Sequence, residues 1–263
     1  MTEFRARYGP WAVVAGASEG LGAAFARALA NRGLKLILVA RRREPLVALA
    51  EVLPTETVPV VADLATDAGL GMVRWVAADR EVGLVVANAA YSPIGSFTAM
   101  PLDESLRALD LNCRALLHLA HHFLAPMTGR GRGGFVVMSS LAGLQGSPPI
   151  SVYAATKSFG AVLAEGLWAE LRVTGVDVVA CVAGAVETPG LVGSKAKRAP
   201  GTLTPDKVAA AALRGLGRGP RVVPGLAMRL SSAVMSRLPR RTAIAIISRA
   251  SRDLTPPAVS PGS

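Results

Sequence analysis

The chain is short of sulfur, of long apolar runs and, over its last quarter, of acid. Its two cysteines, Cys113 and Cys181, lie far apart inside apolar patterns. They have no metal-ligand spacing, and both read as buried free thiols. Charge-free apolar runs stop well short of a membrane span, Val178–Val186 being among the longer ones. The opening Met1-Thr2-Glu3-Phe4-Arg5 carries an acid and no apolar export segment, so a cytoplasmic protein is expected. The three histidines, His118, His121 and His122, share one helical stretch without a cysteine or carboxylate partner. They read as surface and packing residues, and no metal site is expected. Acid is missing from one region only. Residues 1–193 hold 16 Lys/Arg and 16 Asp/Glu, whereas residues 194–263 hold 13 Lys/Arg against Asp206 and Asp253, so the whole excess of +11 sits in the tail. The main body therefore has no electrostatic reason to bind nucleic acid.

What is present is a long series of strand and helix patterns. With 263 residues and 51% hydrophobic content, one large α/β domain with a buried core is expected. Trp11–Ala15 reads as a buried strand, Gly16-Ala17-Ser18-Glu19-Gly20-Leu21-Gly22 as a glycine turn, and about Leu21 to Asn31 as a helix. Glycines at such a turn let the backbone approach a pyrophosphate, and the helix N-terminus stabilises its charge. A second strand, Leu34–Ala40, ends in Arg41-Arg42-Arg43. Nineteen residues beyond Gly22, where an NAD-binding protein would carry an acid for the ribose 2′-hydroxyl, stands Arg41. A guanidinium there suits the 2′-phosphate of NADP, with Arg42 as a second contact and Arg43 in a solvated turn.

Val58–Val61 leads to Ala62-Asp63-Leu64, where Asp63 can accept from an adenine amine, cap a helix, or do both. A fourth strand, Leu84–Ala87, ends in Asn88-Ala89-Ala90; small residues let the chain pass under a cofactor, and Asn88 would fix strand ends or the ribose. A long helix is expected from about Leu102 to Met127, with Asn112 its polar exception. Burying that amide without partners would cost a few kcal/mol, about 1–3 per unsatisfied group, so Asn112 is expected to have a task.

Gly134–Met138 reads as a strand delivering Ser139 and Ser140, followed by a loop with Pro148 and Pro149 and a helix from about Ser151 to Val173. In that helix Tyr153 and Lys157 share one face. At ~5 Å and an effective dielectric of ~20 the Coulomb term is roughly 3 kcal/mol, which predicts a Tyr153 pKa lowered toward the range of a general acid or base. A sixth strand, Val176–Val182, ends in Ala183–Pro189. These polar residues all fall at or beyond C-terminal strand ends, where open parallel sheets bind ligands.

Gly-x-x-x-Gly-x-Gly, Asn-Ala-Ala after strand four, Asn112 on the next helix, Ser140 thirteen residues before Tyr153, and Tyr-x-x-x-Lys together resemble the short-chain dehydrogenase/reductase family over about residues 10–190. The resemblance implies a doubly wound seven-stranded parallel sheet with helices on both faces and NADP(H) across its strand ends. It implies that Tyr153 protonates a carbonyl oxygen that Ser140 also bonds, and that Lys157 holds the nicotinamide ribose. Asn112 would support a water linking Lys157 to solvent. Gly16, Ser18, Gly20, Leu21 and Gly22 match the phosphate loop; Asp63 and Leu64 match the adenine contact, Asn88 the contact after strand four, and Val186 and Thr188 the nicotinamide side. Two family patterns are altered: Asn-Asn-Ala-Gly becomes Ala87-Asn88-Ala89-Ala90, and Pro-Gly becomes Ala183-Gly184.

The expected organisation is one catalytic domain over 1–224 with a substrate lid at about 190–204, a basic helical extension over 225–254 packed on it, and a disordered tail over 255–263. Thr204-Pro205-Asp206 should start a helix, and Arg221–Val223 a seventh strand. Leu226, Leu230, Val234 and Leu238 mark an apolar stripe that can cover the pocket, meet a second subunit of a homodimer or homotetramer, or lie on an anionic membrane; the first two are favoured. Leu141, Leu144, Pro148, Ile150, Val186 and Leu191 suggest an apolar carbonyl or alcohol substrate. The rival reading is a dinucleotide-binding sensor or scaffold held to a membrane or partner by the basic tail.

Overall fold

A computed structural model of the chain describes residues 3–187 and 201–250. Thr188, Leu191, most of the expected lid and the tail over 255–263 lie outside the described residues. Strands β1 (Trp11–Ala15), β2 (Lys35–Ala40), β3 (Thr57–Val61), β4 (Val82–Ala87), β5 (Gly133–Ser140), β6 (Val176–Ala183) and β7 (Arg221–Val222) form one parallel sheet in the order β3-β2-β1-β4-β5-β6-β7. Helices α1 (Glu3–Tyr8), α2 (Gly20–Ala30), α3 (Arg43–Val52), α4 (Asp67–Ala77), α5 (Leu102–Leu109), α6 (Ala115–Arg130), α7 (Ser151–Leu171) and α8 (Pro205–Gly215) precede or connect these strands, and α9 (Leu226–Met235) and α10 (Arg240–Ala250) follow them.

Unbroken apolar runs make the central strands because crossover helices cover both faces of a parallel sheet. All of β1 and β6 is buried. On one face Phe25 and Leu29 of α2 and Val208 and Ala212 of α8 close the core. On the other face Val73 of α4, Leu119 and Phe123 of α6 and Ala164 of α7 do so. From β1 the chain winds outward to β3, then returns and winds the other way from β4, so the C-terminal ends of β1 and β4 flank the switch point. The doubly wound fold expected from the sequence is the one observed.

The long helix expected from Leu102 to Met127 is divided by a π-helical turn over Asp110–Arg114. Leu111 and Asn112 in that turn are both buried and continue the buried stripe of Ala108, Ala115, Leu116 and Leu119 on the flanking helices. Cys181 is buried as expected, but Cys113, in the same turn, is only half-buried.

Thr204 and Pro205 start α8 with proline at the first turn, although the Thr204 side chain makes no capping bond. Arg240 and Arg241 open α10. Leu226, Leu230 and Val234 of the expected stripe are 73%, 61% and 59% exposed and so do not cover the body of the chain. Met228 makes the inward contact. A Cβ on Gly184 would lie 2.6 Å from its sulfur, so a glycine there admits the thioether where a larger residue would collide.

At the opposite end of the sheet from the switch point, Tyr8 Oη donates to Asp177 Oδ2 at 2.6 Å and Arg7 Nε donates to the same oxygen at 2.7 Å, tying α1 to β6. Tyr8 and Asp177 are both buried. Tyr8→Phe should therefore lower stability by about 1–2 kcal/mol, as expected for loss of a buried bond to a charged acceptor, without changing the KM for dinucleotide. Urea denaturation and steady-state kinetics check the two halves of that prediction.

Candidate active site

The site begins with the turn between β1 and α2. Gly16 and Gly20 have φ of +75° and +53°, and the Gly16 and Ala17 amides donate to Val39 O at 2.8 and 3.0 Å, binding the turn to β2. A Cβ on Gly16 would lie 2.9 Å from Ala89 Cα, so the small residue after β4 and the left-handed glycine are needed together. A Cβ on Gly22 would lie 1.9 Å from Gly16 O. Gly22 is thus a close-approach residue beneath the turn, and it does not line the cleft as its place in the phosphate loop implied.

Above this turn opens a cleft of about 530 Å³, lined by the sequence-predicted Gly16, Ser18, Gly20, Leu21, Arg41, Arg42, Asp63, Leu64 and Asn88. Val186 is not among its lining residues; it forms a β-bridge with Leu203 and packs against the core. Thr188 is outside the described residues. Asn88 Nδ2 donates to Ala15 O at 3.2 Å and Gly16 O at 3.1 Å, so it fixes the strand ends. Arg41 and Arg42 are exposed at the rim. Arg42 Nη2 lies 2.6 Å from Glu19 Oε2 and 3.4 Å from Ser18 Oγ, a pairing the sequence did not suggest.

Asp63 is not the cap of α4, because Thr66 accepts the Gly69 amide and takes that place. Asp63 Oδ1 accepts from the Ala65 amide at 3.0 Å, and Oδ2 accepts from Arg107 Nη2 at 2.9 Å. Burial raises the Asp63 pKa, but the Ala65 amide and Arg107 outweigh it and hold the carboxyl below its usual range.

Beside the cleft, and outside its lining, β5 and α7 meet, where a small cavity bounded by Lys157 shares Leu64, Ala89 and Leu111 with it. A Cβ on Gly143 would lie 2.8 Å from the Lys157 carbonyl carbon, so the turn Leu141–Leu144 rests directly on the backbone of α7. Ser139 Oγ donates to Lys157 O at 2.7 Å. The Lys157 side chain runs inward and Nζ donates to Met138 O at 2.9 Å, with the Tyr153 ring centroid 5.6 Å away. Ser140 Oγ accepts from the Ala142 amide at 3.2 Å, and its hydroxyl lies near enough to the Tyr153 phenol to pull the phenol pKa down. Asn112 has the task its burial implied. Its Oδ1 accepts from the Tyr91 amide at 2.8 Å, and Nδ2 donates to Tyr91 O at 2.8 Å and Thr156 Oγ1 at 2.9 Å. A cavity of about 20 Å³, the space of roughly one water, is bounded by Asn112, Thr156 and Lys157 among others. Serine, tyrosine, lysine and asparagine are thus brought together from three elements.

One electrostatic expectation is reversed. Burial raises the Tyr153 pKa, with the Ser140 hydrogen bond pulling the other way, because the phenol is desolvated while the ammonium lies beside the ring and bonds to Met138 O. Burial also lowers Lys157 from 10.5 to about 8, with the Cys113 thiol opposing. Tyr91, Glu19, Arg107 and Thr156 were not identified from the sequence. Arg107 and Asp63 are 44 positions apart, as are Asn112 and Thr156, and no local spacing links either pair. His118, His121 and His122 line a shallow surface pocket with Arg74, and no metal-ligating group of three or more occurs among the described residues.

A doubly wound parallel sheet with a glycine turn and a cleft at its switch point defines a nucleotide-binding α/β protein of the Rossmann type. The chain belongs to the short-chain dehydrogenases, a family of nicotinamide-dependent oxidoreductases, whose family model matches residues 10–199. It is similar to the 7beta-hydroxysteroid dehydrogenase of Clostridium sardiniense, at 33% identity over 71% of this chain and 73% of that one. Among solved structures it resembles one described as giving structural and biochemical insights into 7beta-hydroxysteroid dehydrogenase stereoselectivity, with TM-score 0.87 and 26% identity over 94% of this chain and 99% of that one. A short-chain dehydrogenase from Sphingobium yanoikuyae in complex with NADPH matches with TM-score 0.75 and 30% identity over 88% of this chain and 97% of that one. No described helix is long and apolar enough to cross a membrane.

Lys157 has a stability consequence. Its folded-state pKa lies below the unfolded one, so between about 8 and 10.5 the unfolded chain holds a proton that the folded chain has released. The folding penalty of the buried charge is complete below about 8 and is relieved as pH rises through that window. Lys157→Met should abolish turnover yet raise stability at neutral pH, by at most about 3 kcal/mol. Denaturation of both proteins at neutral and alkaline pH should show their difference shrinking as pH rises.

Proposed function

We propose that this protein is an NADPH-dependent oxidoreductase that interconverts a carbonyl group and a secondary alcohol on an apolar, steroid-sized substrate. The observation that carries the reading is the buried Lys157 beside the Tyr153 ring, with Ser140 at the end of β5, next to a cleft whose rim carries Arg41 and Arg42; the cavity that Lys157 bounds shares Leu64, Ala89 and Leu111 with that cleft. The cleft fits a dinucleotide: its volume of about 530 Å³ suits a ligand of that size, and Gly16 and Gly20 leave the cradle free of side chains. Gly16, Ser18, Gly20 and Leu21 would hold the pyrophosphate, Asp63 and Leu64 the adenine, Arg41 and Arg42 the 2′-phosphate, and Lys157 the nicotinamide ribose. The bound nicotinamide supplies the hydride.

The chain's own part is proton transfer and polarisation. Ser140 Oγ donates a hydrogen bond to the substrate carbonyl oxygen, stabilising the negative charge that grows there. Tyr153 Oη donates its proton to the same oxygen as the carbon gains hydride, and the C=O bond becomes C–OH. A phenol raised in pKa by burial is held protonated, the state that carbonyl reduction requires. The neighbouring Lys157 ammonium favours the phenolate left behind, and the cavity shared with Asn112 and Thr156 gives room for the water that would return a proton. In the alcohol-oxidising direction the same groups act in reverse. Leu141, Leu144 and Pro148 follow Ser140 and offer apolar surface to the substrate, while Ile150 is buried. The steroid-sized assignment draws on the likeness to the hydroxysteroid dehydrogenases. The complete set of proton-transfer residues argues for catalysis over the sensor or scaffold reading.

Tyr153→Phe should lower kcat by about 10²–10⁴ while leaving the Kd for NADPH, measured by fluorescence titration, unchanged. Wild-type turnover in that variant would overturn the mechanism. Arg41→Asp should move the NADPH/NADH ratio of kcat/KM toward NADH by roughly tenfold or more, and an unchanged ratio would remove Arg41 from the 2′-phosphate site. The substrate class is checked by following NADPH oxidation with ketosteroids against 3-oxoacyl thioesters, aryl ketones and quinones.

A further inference from the structure

The adenine end of the cleft holds an ion pair that the proposed reaction leaves unexplained. Arg107, on the last turn of α5, places Nη2 2.9 Å from Asp63 Oδ2 at the end of the β3 crossover. The guanidinium carbon stands 5.9 Å from the centroid of the Tyr91 ring. Tyr91 is held at three further points: its amide and carbonyl by Asn112, and its hydroxyl by Glu104. Asn112 continues to Thr156, the residue before Lys157. Asp63, Arg107, Tyr91, Asn112 and Thr156 therefore form one line of contacts from the adenine end of the cleft to the catalytic helix. Neither Asp63 nor Arg107 is fully exposed, their side chains retaining 29% and 35% of their surface, so the pair is partly withdrawn from solvent screening.

We propose that Arg107 is a positioning residue for dinucleotide binding: its ion pair holds the Asp63 carboxylate in one orientation, aimed into the cleft, and through Tyr91 it sets the segment after β4 that forms the cleft wall. The inference rests on the proposed binding of NADPH in this cleft, but it concerns a side chain that does not line the cleft. The charge accounting is simple. Each Asp63 oxygen accepts one bond from the protein, and a carboxylate oxygen has two lone-pair sites, so capacity is left for an adenine amine. Around Asp63 the charged neighbours are Arg107 on α5 and Arg41 at the end of β2, and the Ala65 amide supplies the remaining bond. Among the described residues only Arg107 pairs directly with the carboxylate. Without it the carboxylate is free to rotate and is more readily protonated, and a protonated carboxyl offers the amine a poorer acceptor.

The test is steady-state and binding analysis of Arg107→Met beside Arg107→Lys in the full chain, with NADPH as the probe. Arg107→Met should raise the KM and Kd for NADPH about tenfold, roughly the loss of one charge-assisted interaction, with kcat at saturating NADPH retained. The acid limb of its KM–pH profile should also move to higher pH, because Asp63 then titrates without its cation. Arg107→Lys should restore the acid limb while recovering only part of the affinity, since an ammonium supplies charge without the planar fork. An effect that merely reflects lost packing would appear equally in both variants and leave the acid limb in place, which would overturn the proposal. So would an Arg107→Met protein with wild-type NADPH affinity and profile. Far-UV circular dichroism and a melting curve identify a variant that fails to fold; Arg107→Lys, which keeps the charge, then carries the pH test alone, and an acid limb displaced from wild type would overturn the proposal. If the wild-type protein binds no NADPH, the proposed function fails; if it binds NADPH but Arg107→Met does not weaken binding, only this inference fails.

Discussion

The buried ammonium of Lys157 is the constraint on which the rest of the site depends. A lysine side chain only 8% exposed, in the middle of an α/β core, is tolerated because its stem packs among apolar residues and its Nζ reaches one carbonyl, that of Met138. That reach requires α7 to lie close on the end of β5. Ser139 supplies part of the closeness by bonding Lys157 O. Gly143 supplies more by removing a side chain from the turn that rests on α7, and Gly160, whose Cβ would lie 3.3 Å from Val137 Cγ1, does so one turn further along the helix. The same approach brings Tyr153 against Ser140. The folding penalty of the charge and the proton chemistry at the phenol thus have one structural cause.

The cleft itself is governed by close approach of backbones. Gly16 and Gly22 let β1, the turn and α2 come together at distances that side chains would forbid, and Ala89 leaves room on the β4 side. Asn88 then holds the ends of β1 and β4 by donating to two carbonyls of β1 and the turn. The cleft is wide because the two halves of the sheet wind apart from this point, and its electrostatics are set by groups on its rim: Arg42 paired with Glu19, Arg41 exposed, and Asp63 paired with Arg107. Asn112, buried in the π-helical turn, joins the segment after β4 to α7 by bonding Tyr91 and Thr156.

The C-terminal helices follow a different physical logic. Their inward contact is made by Met228 against Gly184, while Leu226, Leu230 and Val234 face outward amid a run of arginines. The apolar spacing of Leu226, Leu230 and Val234 falls on α9, and the contact of that helix with the body is made where a glycine far away in the chain leaves a gap.

The sequence by itself determined the order of strands and helices, the glycine turn, the family, and the residues that meet at the end of β5. These are written in local periodicity and in short spacings such as Tyr153 to Lys157, which a helix converts directly into proximity. Alternating apolar strands and helices made an α/β domain legible, and the doubly wound topology followed from the family resemblance that the motifs carry. Only the tertiary structure decided the direction of the Tyr153 pKa shift, because desolvation depends on everything packed around the phenol and outweighs the opposing Ser140 hydroxyl. It alone decided that Asp63 pairs with Arg107, that Asn112 holds Tyr91 and Thr156, and that Gly22 supports the turn without lining the cleft. Each is a contact between residues brought together by the winding of the sheet, and a winding that joins distant positions leaves no periodic trace in the chain.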